Sequence, residues 1–472
     1  MSFFKNSLWS FTGQVGIQFL GVLTNIVLAR MLYPEIFGVL GMAMVFAGVV
    51  IITQEAGLSS YIVYKTPLTK PLVSTSFWLN VILSFLLSAL LFSLSGLIGD
   101  FYNNTQVTAI VKFIAIGSFL GGFFITSRAV LMREKNFKLI AKVDLISELI
   151  ASISAIILAV LGYHLLAISV RYVMRPALQS IIYLSIKGKD VLGKFDIKSM
   201  KSIVPYSSNV LGTQLMAYMN NNIDYLFVGR IYGSYTLGLY TMAWQWGSLI
   251  RFYIAGSIGK VAFPELSRLN NDYEAIKVKY LDLTRKLAFI AFPICFGISA
   301  VADSFIVIFY GVEWKNVGPL LQILVLSGAI NAVGSIGGQV FRATGRPKIE
   351  LILSSIVFVS SLLLLFIATR FSIIYVAIAE VIKLSILESF KVKFLINHIN
   401  LKVKELVSVI YGSLLSALVM FGVVKGIQLF IGSLYVSFII SIVVGFLTYM
   451  LVSNLINKTM LNWALSKLKF NR

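Results

Sequence analysis

The chain has 472 residues, 58% of them hydrophobic and only 12% charged, with a mean hydropathy of +0.89. A soluble domain carries roughly 45–50% apolar and 25% charged residues, so a water-soluble fold is excluded and a polytopic membrane protein is implied. The formal charge of +21 suits either nucleic acid or an anionic membrane surface, and the positions of the charges decide between them.

The N-terminal stretch MSFFKNSLWSF lacks a cleavage motif and runs into an apolar segment too long for a signal peptide. It reads as a retained first span. About 20 mainly apolar residues cross a bilayer as a helix. On that rule 14 segments qualify: 8–29, 37–62, 76–98, 108–128, 143–161, 164–186, 204–229, 235–258, 287–309, 317–340, 350–368, 373–390, 406–424 and 434–456. Between the eighth and ninth, apolar Val261, Phe263 and Leu266 precede SRLNNDYEAIKVKYLDLTRK. This stretch is expected to form an amphipathic helix on the cytoplasmic surface, capped by Ser267 or Asn270.

Orientation follows the lysines and arginines. With the N-terminus cytoplasmic, the outer side holds only Arg30, Arg230, Lys315, Arg370 and Lys425, and Lys112, Arg171, Arg175, Arg251 and Lys383 lie within spans. Every other basic residue falls on the cytoplasmic side. The basic excess is therefore a topology signal facing anionic lipid, not a nucleic-acid surface. Both termini are expected in the cytoplasm. The single Cys295 permits no intramolecular disulfide, and His164 and His398 are too far apart in sequence to suggest a metal site.

The chain repeats itself at an offset of 200 residues. VLARMLYPEIFGVLGMA at 27–43 matches FVGRIYGSYTLGLYTMA at 227–243 through Arg30/Arg230, Gly38/Gly238, Met42/Met242 and Ala43/Ala243, with Gln14/Gln214 upstream. A second echo pairs Arg128-Ala129 with Arg342-Ala343, and KVDLI at 142–146 with KIELI at 348–352. An offset of an even number of spans gives two halves of one orientation, related by an axis along the membrane normal. The expected architecture is all-α: a six-helix lobe over 1–200, a second over 201–400, and two extra helices with a tail over 401–472. Such lobes suit alternating access around a central cavity.

Six stretches carry a resemblance to a known family. They are VLARMLYPEIFGVLGMA; EAGLSSYIVYK with TSFWLNV; SRAVLMREKNFKLIAKVDLISE; VAFPELSRLNNDYEAIKVKYLDLTRKLAFIAFPICFGI; FYGVEWKNVGPLLQIL; and FRATGRPKIELIL. In this order they resemble the polysaccharide transporter family of the multidrug/oligosaccharidyl-lipid/polysaccharide flippase superfamily. The Wzx-type flippases belong there, and the first half is most similar to the colanic-acid and teichuronic-acid branch. The resemblance implies about fourteen helices in a V-shaped, two-lobed fold in the bacterial inner membrane. It also implies a non-enzymatic function, the movement of undecaprenyl-diphosphate-linked oligosaccharide from the cytoplasmic to the periplasmic leaflet. A polysaccharide polymerase or export machinery would be its neighbour.

That cargo needs cations for its diphosphate and polar or aromatic groups for its sugars. A charge at a helix centre costs about 2.5–3.5 kcal/mol on insertion scales, so it must face a cavity or a partner. Arg171 and Arg175 lie four apart on one face of the sixth span, Lys383 lies in the twelfth, and Arg251 in the eighth. These are the candidate cavity cations, with Lys112 placed near a span end. The competing expectation is that they pair with Glu148 and Glu380 instead. Gln14, Gln18 and Asn25 in the first span, and Asn221, Asn222 and Asp224 in the run MNNNID of the seventh, are polar candidates for the same cavity or for helix–helix hydrogen bonds. Asp224 is also a candidate for a coupling Na+ or H+. Arg30 and Arg230 either tie each lobe internally or grip cargo at an outer gate. Trp244, Trp246 and Tyr253 could stack on sugars or simply pack.

No other cofactor is expected, and a monomer suffices because one chain holds both lobes. A drug antiporter of the same superfamily would need membrane carboxylates that the first span lacks. A membrane polymerase or glycosyltransferase would need a long outer loop or paired acidic motif, and neither is visible.

Overall fold

In hydrocarbon every backbone N–H and C=O must bond within its own segment, so apolar runs of this length fold as helices. The computed structural model describes residues 3–55, 57–250, 256–269 and 272–468, and no strand occurs among them. The helices are α1 (Phe3–Met31), α2 (Pro34–Glu55), α3 (Leu58–Tyr64), α4 (Lys70–Tyr102), α5 (Thr105–Gly121), α6 (Ile125–Arg133), α7 (Phe137–Val160), α8 (His164–Val191) and α9 (Ile197–Ile250). They continue with α10 (Gly256–Ser267), α11 (Tyr273–Tyr310), α12 (Val317–Ala343), α13 (Pro347–Ala368), α14 (Ile373–Ile399), α15 (Val403–Gln428), α16 (Leu434–Ile456) and α17 (Lys458–Leu468).

Among the described residues ten stretches are long and apolar enough to cross a membrane: α1, α2 with α3, α4, α7, α8, α11, α12, α13, α15 and α16. The α5–α6 pair, bent by 45°, makes an eleventh. The protein is thus multi-pass. The other expected spans fall on α9, which carries MNNNID, and on α14, which carries Glu380, Lys383 and Glu388. The chain forms two compact units, Met1–Gly238 and Leu239–Arg472.

In the first unit, the repeat becomes a contact. Gly233 breaks α9 with φ 80°, a backbone angle that favours glycine. The break lies 200 residues after the gap between α1 and α2. Beyond it, the second arm of α9 crosses the start of α2 backbone to backbone. A methyl on Gly38 would strike the carbonyl of Ser234, and one on Gly238 would strike the carbonyl of Pro34. The two glycines therefore meet reciprocally, each facing the other's repeat-mate of the preceding turn. Further along the same pair of helices, the Tyr218 hydroxyl donates to Met44 O at 2.5 Å, lying over Gly48.

The second echo becomes an ion pair in each unit. Arg128 on α6 donates through Nε and Nη2 to Asp144 Oδ2 on α7, at 3.3 and 3.2 Å. Asp144 is buried, and its other oxygen accepts from Gln179 Nε2 at 2.8 Å and the Tyr183 hydroxyl at 2.9 Å, both on α8. In the second unit Arg342 at the end of α12 donates to Glu350 on α13 at 2.7 Å, but this pair is half open to solvent.

The amphipathic stretch after α10 differs from expectation. It is no separate surface helix: α11 runs unbroken from Tyr273 through the following span. Ile276, Tyr280, Leu283 and Leu287, spaced three and four apart, join one core with Leu266, Val340, Phe341 and Leu395. Asp272 caps α11, accepting from Ala275 N at 3.0 Å. Ser267 instead ends α10 and donates back to Phe263 O, and Asn270 lies outside the described residues. The two final spans pack on this unit. Tyr449 of α16 donates to Phe289 O of α11 at 2.8 Å, and Gln428 of α15 to Ala300 O at 3.2 Å.

Three consequences can be measured. Gly38→Ala or Gly238→Ala should cost roughly 1–3 kcal/mol by overpacking and lower the melting temperature in detergent. Gly96→Ala, whose methyl would meet open space, should be neutral or slightly stabilising. Asp144→Asn strands Arg128 and should cost about 3–5 kcal/mol, whereas Glu350→Gln should cost about 0–1 kcal/mol; equal losses would deny the difference in burial. The third concerns His398, whose Nε2 meets Thr344 Oγ1 at 2.8 Å and whose pKa is lowered by burial and by Arg346. The unfolded chain protonates this histidine near pH 6.5, the folded chain only below it. Its contribution is full above pH 6.5 and is lost as pH falls through the lower folded value. Melting temperatures measured between pH 7.5 and 5.5 should fall less steeply in His398→Gln than in the wild type.

Candidate functional site

Helices in lipid gain little from apolar contact with one another, so buried polar groups decide which of them assemble. In the first unit α1, α7 and α8 meet around Glu148, a carboxylate on α7 only 2% exposed. The four-residue spacing of Arg171 and Arg175 puts both guanidiniums on the face of α8 turned to it. Glu148 Oε1 accepts from Arg171 Nη2, and Oε2 pairs with Arg175 Nη1 at 2.8 Å. Arg171 Nη1 also donates to Asn25 Oδ1 on α1 at 2.9 Å, and the Ser152 hydroxyl lies 3.5 Å from Glu148 Oε1.

The pairing expected as an alternative to cargo contact is therefore present: two guanidiniums share the Glu148 carboxylate. Glu55, at the end of α2, is a second carboxylate within electrostatic reach of Arg175 and also of Arg128. The two arginines also differ. Arg171 is held at both ends of its fork and is 20% exposed, whereas Arg175 is 37% exposed. Each arginine meets Glu148 through one nitrogen, a charge-assisted contact of the kind that also binds phosphates.

The second unit balances its charges differently. Lys383 of α14 donates to Glu380 one turn earlier, and both are buried. Two turns further on, Lys391 bonds Glu388 at 2.7 Å, and Glu388 packs where Gly334 of α12 has no side chain. Each of these lysines has a carboxylate on its own helix. Arg251 and Tyr253 lie outside the described residues.

The other polar candidates are dispersed. Gln14 is exposed on α1 and Gln18 half-buried. Asn221 and Asn222 turn their amides back onto Ala217 O and Tyr218 O, four residues earlier on α9. Asp224 is buried, with Oδ1 accepting from Tyr225 N. Arg30 is exposed at the end of α1. Arg230 lies 5.4 Å over the Phe101 ring, and the Asn103 amide, turned to suit both neighbours, accepts from its Nη1 at 3.0 Å. Arg230 thus reaches the C-terminus of α4 within the first unit. Lys112 sits 5.5 Å over the Phe92 ring. Trp246 donates to the Tyr310 hydroxyl at 2.9 Å and packs edge-on against Phe305. Among the described residues no group of three or more His, Cys, Asp or Glu is placed to hold a metal ion.

Sequence reasoning treated Glu148 only as a partner that would remove the arginines from consideration. It is the centre of the cluster. Gln179 and Tyr183, which hold Asp144 one turn away on the same helix pair, carried no signal in the sequence at all.

The chain is similar to the teichuronic acid biosynthesis protein TuaB of Bacillus subtilis, 25% identical over 307 residues. That match covers 65% of this chain and 63% of TuaB, less than two thirds of the relative. It is 24% identical over 345 residues to the lipopolysaccharide biosynthesis protein WzxC of Escherichia coli, covering 72% of this chain and 70% of WzxC. Its fold is that of the lipid II flippase MurJ in an inward closed conformation, with a TM-score of 0.77 and 18% identity over 97% of this chain and 99% of MurJ. A family model described as polysaccharide biosynthesis protein matches residues 27–319, and the chain belongs to that family.

Proposed function

We propose that this protein is a flippase that moves a polyprenyl-diphosphate-linked oligosaccharide across the bacterial inner membrane, from the cytoplasmic to the periplasmic leaflet. The observation that carries the reading is the Arg171–Glu148–Arg175 cluster, two guanidiniums kept inside a multi-pass bundle with Arg175 37% exposed. A charge there is costly, and a diphosphate is an anion able to use it. Membership of a polysaccharide biosynthesis family supports the glycan part of the cargo, and the fold shared with a lipid II flippase supports a lipid-linked one.

In this reading the chain spans the membrane fourteen times, with both termini in the cytoplasm. Lobes 1–200 and 201–400 exchange access around a pseudo-twofold axis, and 401–472 adds two helices and a tail. The reciprocal crossing of Gly38 and Gly238 supports such an axis. Arg175, backed by Arg171, meets the diphosphate. In the first unit Gln14, Gln18, Asn25, Asn221 and Asn222 are the further groups offered to cargo, Lys383 and Arg251 are those of the second, and Asp224 takes the coupling Na+ or H+. The protein acts as a monomer beside polymerase and export machinery.

Proteoliposomes containing fluorescent undecaprenyl-diphosphate oligosaccharide test the reading by quenching of the outer leaflet. Wild type should transfer the lipid, and Arg175→Ala should lower the rate at least about tenfold, the value of one lost charge-assisted bond. That variant leaves Glu148 paired with Arg171, so its fold should survive gel filtration. Arg171→Ala with Arg175→Ala should abolish transfer. No transfer by wild type with several glycans under an imposed ion gradient would reject the function and favour a drug antiporter.

A further inference from the structure

We propose that Glu148 is a built-in competitor for the cargo's diphosphate: it occupies Arg175 between cargoes and hands it over during binding. The inference rests on the flippase reading and assigns a role to a residue that contributes no positive charge of its own.

The geometry separates the two arginines. Arg171 is an anchor, bonded to Glu148 through Nη2 and to Asn25 of α1 through Nη1. Arg175 is an arm, paired with the second oxygen of Glu148 through Nη1 and more than a third exposed. A diphosphate that grips Arg175 through both Nη atoms needs the Nη1 that Glu148 Oε2 now holds, so carboxylate and diphosphate compete for it. When the diphosphate takes Arg175, Glu148 keeps Arg171. The buried carboxylate is then never stranded, and α1, α7 and α8 stay tied. When cargo leaves, Glu148 reclaims the arm.

Release is the physical reason for such a device. A site that conducts must bind strongly enough to admit its cargo and weakly enough to let it go. Two unopposed guanidiniums would hold a diphosphate through several charge-assisted bonds. A carboxylate held between them subtracts from that grip at the point of contact. Glu148 is therefore a positioning and affinity-setting residue, not one that contacts cargo.

The test uses the full chain in nanodiscs, with farnesyl diphosphate as the binding probe and fluorescent undecaprenyl-diphosphate oligosaccharide as the transport cargo. Glu148→Gln keeps the shape and removes the competing charge. Probe affinity should rise about tenfold, the size of one charge-assisted interaction, while maximal transport falls and half-saturation shifts to lower cargo. Glu148→Asp keeps the charge but shortens the reach. It should raise affinity by a smaller factor, and it stands as the measurement if Glu148→Gln does not fold. Arg175→Ala should lose probe binding. Unchanged or weaker probe affinity in the folded Glu148 variants overturns the proposal, as does a wild type that does not bind farnesyl diphosphate. If wild type flips its cargo while the Glu148 series leaves probe affinity unmoved, the function stands and this role falls. If the series moves as expected and nothing is flipped, the competitor role stands and the flippase reading falls.

Discussion

A charge placed in hydrocarbon must be matched, and the matching determines which helices stand together. Glu148 is nearly sealed from solvent and answers two arginines at once. Through them it ties α7 to α8, and through the Asn25 amide it ties both to α1. Asp144, one turn before it on α7, gathers Arg128 of α6 and Gln179 and Tyr183 of α8. Neither carboxylate is apolar filler, and neither can be removed without leaving a cation behind. Breaking such a pair costs far more than its net contribution to stability. These bonds therefore specify the arrangement of α1, α6, α7 and α8 more than they strengthen it.

The two units treat repeated sequence unequally. The echo of Arg128 and Asp144 in Arg342 and Glu350 yields an ion pair both times, joining the helix before the turn to the one after it. In the first unit α8 adds two more partners and buries the acid. In the second the pair stays at the surface. On α14, Lys383 and Lys391 find carboxylates on their own helix, and Lys391 also reaches Gly334 O of α12 at 3.4 Å. On α8 the arginines instead meet a carboxylate on another helix. An inherited repeat has thus been turned to different ends: a cross-helix charge cluster in one unit and locally balanced pairs in the other.

How far the sequence disclosed this depends on the range of each interaction. The helical class follows from apolar run length, and the break at Gly233 falls within the gap expected between 229 and 235. Lys383 with Glu380 is an i,i+3 pair, so its partner is legible from spacing alone. The Arg171/Arg175 face is legible for the same reason. Their shared carboxylate lies on another helix, and spacing cannot choose among the acids available. The cap of α11 was misplaced because Ser267, Asn270 and Asp272 all suit a helix start; only the path of the chain selects Asp272. The unbroken length of α11 was hidden by its change from amphipathic to apolar. A hydropathy boundary looks like a helix end, but the buried stripe Ile276, Tyr280, Leu283 and Leu287 continues across it. Arg230 gave no local sign of its contact with Phe101 and Asn103, which lie more than a hundred residues away.

Where charges do not join helices, small side chains do. On α16, Ser437, Ser441, Gly445, Tyr449 and Ser453 recur every fourth residue and are buried, while Leu447, Leu451 and Leu455 face outward. Such a stripe allows close approach, with directional bonds at Ser441, which accepts from Gln428, and at Tyr449, which donates to Phe289 O. It fixes proximity but only weakly fixes register. The α1–α7–α8 assembly is the opposite case, since Arg171 is held through both Nη atoms, by Glu148 of α7 and Asn25 of α1. A bundle held by forks keeps its internal register while a bond at its edge changes partner. That is the property a cation cluster needs if an anion is to enter it without dismantling the helices that present it, and here the anchor, Arg171, and the exposed arm, Arg175, lie one turn apart on the same helix.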